Sequence, residues 1–271
     1  MTFTPALPLP GYAGWTFLKR TLPAQTQALQ ASPEIRRDEA YFREKIGSIN
    51  TAEDLVKDRR LLKVALGAYG LDADINNRFF IRKVLEGGTL KEGSLANRLA
   101  DKQYLKLADA FGFGDFSTPR NKLSDFADKT LALYRTRQFE GAVGQQNGDY
   151  RLALNAEREL GALAAKSSSN DTKWFTVLGN IPLRKVFETA LRLPASIGAI
   201  DIDRQLAVFK SRADSQFGSS ELSQFKDPAK LDTLVRSFLL VSEQSANSSA
   251  VQPAARALQI LQASSSLFAR L

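Results

Sequence analysis

Apolar residues in this chain recur at intervals of three and four and almost never alternate over a useful length, which predicts helices and no sheet. Ile35, Phe42 and Ile46 share one helical face. Ser32-Pro33-Glu34 ahead of them reads as N-cap, first-turn proline and first-turn acid. Thr51-Ala52-Glu53-Asp54 has the form of a capping box with Asp in place of Glu. It opens a helix predicted to run through Leu55, Leu62, Leu66 and Tyr69 to Gly70, a glycine suited to the position after a helix end. Within that helix the run LLKVALGAY, Leu61–Tyr69, is apolar around most of its circumference, as expected at the centre of a bundle. Lys63 must then occupy the only wet strip, and Gly67 lets another helix approach closely. The run is far too short to span a bilayer.

After a loop at Asp72–Asp74, Ile75, Phe79 and Val84 are predicted to face inward, with Gly87-Gly88 as the stop. Ser94 and Asp101 read as further caps. Ser124–Lys166 reads as one long helix or two in line, broken near Gln146-Asn147-Gly148. The stretch SSSND, Ser167–Asp171, reads as a linker, and Trp174–Leu178, Pro182–Leu193, Asp201–Arg212 and Pro228–Val241 as later helices. The predicted fold class is all-α.

The segment LLKVALGAYGL at Leu61–Leu71 aligns with LRKVFETALRL at Leu183–Leu193. Leu61, Lys63, Val64, Ala68 and Leu71 match Leu183, Lys185, Val186, Ala190 and Leu193. Farther on, DKQYL from Asp101 meets DPAKL from Asp227. Two unrelated core helices would also give such a match, but a duplication into two related helical-bundle subdomains is the expectation, since the spacing is far too long for a solenoid. The organisation expected is an extended arm at 1–31, a subdomain at 32–123, a connecting helix or helix pair at 124–166, a second subdomain at 172–245 and a helical tail at 246–271.

Composition narrows the function classes. The 271 residues are 44% apolar and 24% charged, enough to bury a core. No transmembrane helix is expected. The opening MTFTPALPLPGYAGWTFLKR puts its cations after its apolar residues and interrupts them with proline, so no cleavable signal peptide is expected either. There is no cysteine and no histidine, which removes thiolate chemistry, disulfides and the commonest general base and metal ligand. The net charge of +8 is spread over Arg36-Arg37, Arg59-Arg60, Arg82-Lys83 and Arg184-Lys185. Acidic neighbours, as in IRRDE and VKDRR, point to solvated helix faces and disfavour a nucleic-acid groove.

Candidate motifs fail on their spacing. Asp72, Asp74 and Asn76 fit the first positions of a calcium loop, but Asn77 and Lys83 stand where glycine and a bidentate glutamate are required, so both acids read as helix caps. Ser223-Gln224-Phe225-Lys226 is an S-x-x-K without its companions, for Phe126 follows Ser124-Asp125 and Leu131 follows Lys129-Thr130. No glycine-rich phosphate cradle is present. Catalytic, cofactor-binding and metal-ligating residues are therefore assigned to none, and a non-enzymatic protein without a cofactor is expected. The chain ends hold the candidate contact residues. Leu18, Leu22, Gln25 and Leu29, and Val251, Ala254, Leu258, Leu261, Phe268 and Leu271, form narrow seams at coiled-coil spacing. Leu18, Leu22, Leu29, Leu258, Leu261, Phe268 and Leu271 are the partner-binding candidates. Each end either docks on its own domain, pairs with the other, or pairs with helices of a partner.

The block from Pro33 to Phe113 carries EIRRDEAYFREKI, DLVKDRRLLKVALGAYGLDADINNRFFIRKVL and SLANRLADKQYLKLADAFGF. In these stretches it resembles an alphaproteobacterial family known as domain of unknown function 1217. The resemblance implies a flagellar setting, because the family's genes tend to lie among flagellar genes. It brings no catalytic residues with it. A cysteine-free chain with heptad-like ends and a weakly polar arm agrees with a protein that is cytoplasmic or exported to the flagellum without a cleaved signal. The expected partners are then flagellar or export-apparatus proteins. A basic regulator or nucleic-acid binder is the alternative.

Overall fold

The computed structural model describes residues 3–246, and among them every regular element is helical. The longer helices are α1 (Gly11–Gln30), α2 (Pro33–Lys45), α3 (Ala52–Lys57), α4 (Arg59–Tyr69), α5 (Arg78–Gly87), α6 (Leu95–Arg98) and α7 (Gln103–Phe111). They are followed by α8 (Phe126–Gln146), α9 (Gly148–Ala165), α10 (Asn170–Leu178), α11 (Ile181–Ala190), α12 (Ile202–Phe217) and α13 at 228–246. No helix among the described residues is long and apolar enough to cross a membrane. Two compact units result: Thr16–Arg151 with the residues up to Pro8, and Leu9–Trp15 with the residues from Leu152 onward. The chain passes between units at Pro8–Leu9, inside α1 and inside α9, and not at SSSND. That stretch is local structure. Ser169 Oγ accepts from the Thr172 amide at 3.2 Å, and the Asn170 side chain binds Ser220 O and Leu222 N.

In the first unit α4 packs on α2, α3, α7 and α8, with Leu61, Leu62, Val64, Ala65, Leu66 and Ala68 all buried. Gly67 permits the approach of α8: a Cβ there would stand 2.8 Å from the Tyr134 ring. The helix expected from Thr51 to Tyr69 is interrupted. Thr51 forms the reciprocal capping box with Asp54, but α3 stops after Lys57 and Asp58 adopts an extended conformation. Asp58 Oδ1 then accepts from the amides of Arg60 and Leu61, both at 3.0 Å, and starts a second helix. A short acid able to hold backbone amides competes with helix continuation, and here it wins.

Phe79 is corrected from core to surface, with 68% of its area exposed. Asp72–Asn76 form a 3-10 turn and α5 begins only at Arg78, so the helical phase is set by the buried Ile81, Val84 and Leu85. The Phe79 ring lies beneath the cations of Arg82 and Lys83, at 5.5 and 5.7 Å. Asp72 and Asp74 bind side chains and not helix amides: Asp72 accepts from Gln138 at 2.9 Å, and Asp74 from Tyr104 and Asn77, both at 2.6 Å.

The second unit is built on aromatic edges. Trp174 of α10 meets Phe187 at 5.1 Å and Phe209 at 6.1 Å, and Phe225 meets Phe187 at 5.7 Å and Phe217 at 5.9 Å. The indole of Trp174 donates to Ser220 O at 2.8 Å. Tyr12, in the first turn of α1, donates to Asp232 of α13 at 3.0 Å and lies under the Arg236 guanidinium.

The aligned segments carry the same local geometry. Asp58 caps α4 by accepting from Leu61 N, and Asn180 caps α11 by accepting from the aligned Leu183 N. Both helices close with a left-handed residue, Gly70 at φ 74° and Arg192 at φ 52°. Both then make a six-to-one bond, Leu71 N to Leu66 O at 2.9 Å and Leu193 N to Glu188 O at 2.8 Å. A 3-10 turn follows each, Asp72–Asn76 and Ala195–Ala199. Asp101 and Asp227 each accept from the amide two residues on, both at 2.9 Å.

Candidate functional site

Two arrangements in the first unit bring polar groups together. One is an ion cluster between α2, α4 and α8. Lys63, expected on a wet strip, reaches Glu34 at 2.7 Å and Asp38 at 2.8 Å, and Tyr134 donates to Asp38 at 3.3 Å. The hydrogen bond from Lys63 and its charge hold the Glu34 carboxyl below the usual range. Burial alone would lower the Lys63 ammonium, yet its hydrogen bonds to Asp38 and Glu34 and their charges together leave it raised. Burial, reinforced by the Asp38 charge, pushes the Tyr134 phenol up. Arg135 of α8 adds a bidentate pair to Glu39 of α2, both contacts at 2.6 Å. Each of these groups is taken up by a helix-to-helix contact. The cluster joins helices, and its outer member, Glu34, also lines the cavity described below.

The second arrangement holds an extended segment. Residues 3–8 run without helix and are bound through their backbone by two glutamines. Gln25 of α1 accepts from Ala6 N at 2.8 Å and donates to Ala6 O at 3.2 Å, while Gln146 of α8 donates to Pro5 O at 2.7 Å. Gln25 is itself oriented by Thr21, whose hydroxyl oxygen accepts from its amide at 2.8 Å and whose proton goes to Phe17 O. A carboxamide that satisfies both the N–H and the C=O of one residue reproduces what a neighbouring strand would do. Pro5 is buried, Thr4 and Ala6 point to solvent, and the Phe3 ring lies 6.0 Å from Phe139 of α8. Beyond Phe3 the groove opens into a cavity of about 500 Å³. Leu29, Ile35 and the small residues Gly141, Ala142 and Gly144 form part of its wall, with Arg137 among its charged lining. Among the described residues, no three carboxylates converge as they would to hold a metal ion.

Of the seam residues, Leu18 and Leu29 are buried and Leu22 is half-buried. Leu258, Leu261, Phe268 and Leu271 lie outside the described residues. Gln25, the polar interruption of the first seam, is the residue that grips the arm. Sequence reasoning missed Gln146, Phe139 and the seat of Pro5. The available signal was the arm's own spacing of prolines, at positions 5, 8 and 10, which forbids helix and favours an extended backbone.

A profile described as "Protein of unknown function (DUF1217)" matches residues 68–231, which runs from the close of α4 through α5 to α8 of the first unit and on to the start of α13 in the second. The X-ray crystal structure of protein AGR_C_984 from Agrobacterium tumefaciens is similar, with a TM-score of 0.71 and 25% identity. The alignment covers 89% of this chain and 99% of that one. No curated protein matches the sequence.

Proposed function

The chain belongs to the DUF1217 family of proteins of unknown function, and on that premise we propose that it is a non-catalytic helical protein that works in flagellar assembly or structure through contacts with other proteins. The observation that carries the interaction reading is the seat of residues 3–8, an extended backbone read by Gln25 and Gln146. Grooves that engage main-chain amides and take alternate side chains into pockets are a recurring way for proteins to bind peptides. The engagement of Asp38, Lys63 and Tyr134 in pairing helices supports the non-catalytic part. The flagellar setting rests on the family resemblance.

The test is genetic and biochemical together. A strain lacking the protein is expected to swim poorly in soft agar, and the protein is expected in purified flagella or bound to a named flagellar component. Restoration by the wild-type gene but not by a Gln25→Ala/Gln146→Ala double variant would tie the defect to the groove. Normal swimming of the deletion strain, together with absence from every flagellar fraction, would overturn the reading.

A further inference from the structure

Among the described residues, the arm at residues 3–8 is held through side chains of α1 and α8. Two carboxamides, the Phe139 ring and the burial of Pro5 hold it, and the side chains of Gln25, Gln146 and Phe139 belong to α1 and α8. Nothing in this geometry requires the arm to come from the same polypeptide. The connection that follows is Leu7-Pro8-Leu9-Pro10, with Pro8, Leu9 and Pro10 exposed. Proline fixes φ and biases the preceding residue toward an extended backbone, so this hinge is stiff, and here it lays the arm back along α1 as far as Gln25. Stiff hinges beside a detachable segment are where protomers exchange identical elements, since the open and closed forms differ by a few torsions while every contact is kept.

From these observations we propose that the groove is a homotypic docking site, filled at high concentration by the N-terminal arm of a second copy of this chain. The proposal rests on the interaction reading above and supplies its partner. The occupant is chosen by fit: the segment seated in the groove is Phe3-Thr4-Pro5-Ala6, and a second copy is the partner sure to carry it. At low concentration the tethered arm wins, because the short connection keeps it at an effective concentration far above that of dilute free chains, of millimolar order or higher. As the protein crowds into an assembly, exchange between neighbours gains by mass action. The same groove then links copies with no new surface.

The wild-type chain's mass is measured by light scattering over a dilution series from about 1 µM to about 3 mM, a range that passes through the millimolar scale. Dimer is expected to grow toward the upper end. Pro5→Asp places a charge in the buried seat and spoils the arm alone, whereas Gln25→Ala/Gln146→Ala weakens the groove alone. Each variant by itself is expected to lose dimer at least tenfold. Their mixture is expected to recover heterodimer, since one sound arm and one sound groove remain. Circular dichroism checks that both stay helical. A fluorescent peptide of residues 1–10 is titrated in parallel onto the Pro5→Asp chain. Peptide binding without any wild-type dimer overturns homotypic exchange and leaves the groove as a site for another protein's segment. Dimerisation unchanged in both variants also overturns it. Absence of both dimer and peptide binding removes the docking reading of the groove as well.

Discussion

At Gly67 the missing side chain decides how near α8 can come to α4. Gly67→Ala gains about 1 kcal/mol of helix propensity, but the new methyl would meet the rigid Tyr134 ring, and such overpacking costs about 1–3 kcal/mol. A net loss is expected, read as a lower urea midpoint at constant slope. Arg192 presents the opposite case. It carries a left-handed backbone at φ 52° where the aligned helix has Gly70. Arg192→Gly is expected to stabilise the protein by about 1 kcal/mol, because its exposed contact to Gln244 contributes little. Titration adds a third residue-scale expectation. Burial first, and Asp109 second, push the Tyr69 phenol up to about 12. The unfolded chain ionises this phenol near its ordinary value of 10, before the folded protein does. Its contribution to stability is therefore complete below pH 10 and is lost as pH rises toward 12. Tyr69→Phe should move the alkaline unfolding midpoint upward, as followed by circular dichroism against pH. The Glu34–Lys63 pair behaves in both directions. Glu34, depressed, stabilises above its unfolded value and loses that effect in acid. Lys63, raised, stabilises below its unfolded value and loses that effect in alkali.

On the scale of elements, the tandem caps at Thr51 and Asp58 make a discriminating case. Were residues 52–69 one helix, Asp58→Ala would improve propensity and raise stability. Because Asp58 holds the amides of Arg60 and Leu61 at the start of α4, the expected result is a loss of about 1 kcal/mol instead. Thermal melts of the single variant decide between the two. The same region marks the reach of sequence reasoning. Helices with strong periodicity and recognised caps were legible: Ile35 and Phe42 face inward on α2, Thr51 makes its capping box, and Gly70 closes α4. The break at Asp58 was not, because hydrophobic period continues straight through it and only backbone geometry records the reset. Phe79 went astray for a related reason, since a 3-10 turn advances the phase before α5 begins. The groove was less legible still. Gln25 and Gln146 are two unremarkable glutamines far apart in sequence, and only the fold brings their amides to Pro5 and Ala6.

For the whole molecule, the repeated order of cap, helix, left-handed stop and 3-10 turn in α4 and α11 explains why the alignment of LLKVALGAYGL with LRKVFETALRL keeps Leu61 and Leu183, Val64 and Val186, and Ala68 and Ala190 in pairs that are all buried. The lysines of the match diverge: Lys63 joins the ion cluster, whereas Lys185 is exposed. The polypeptide does not divide into two uninterrupted stretches. The second unit takes Leu9–Trp15 from near the start of the chain, with Trp15 only 1% exposed, and ties that turn to α13 through Tyr12 and Asp232. On a translating ribosome these early residues emerge first, and their partner Asp232 is added only after most of the message has been read. Vectorial synthesis can therefore complete this half only at its close. Until then Trp15 must wait without its native surroundings, its indole left in water that the finished fold excludes.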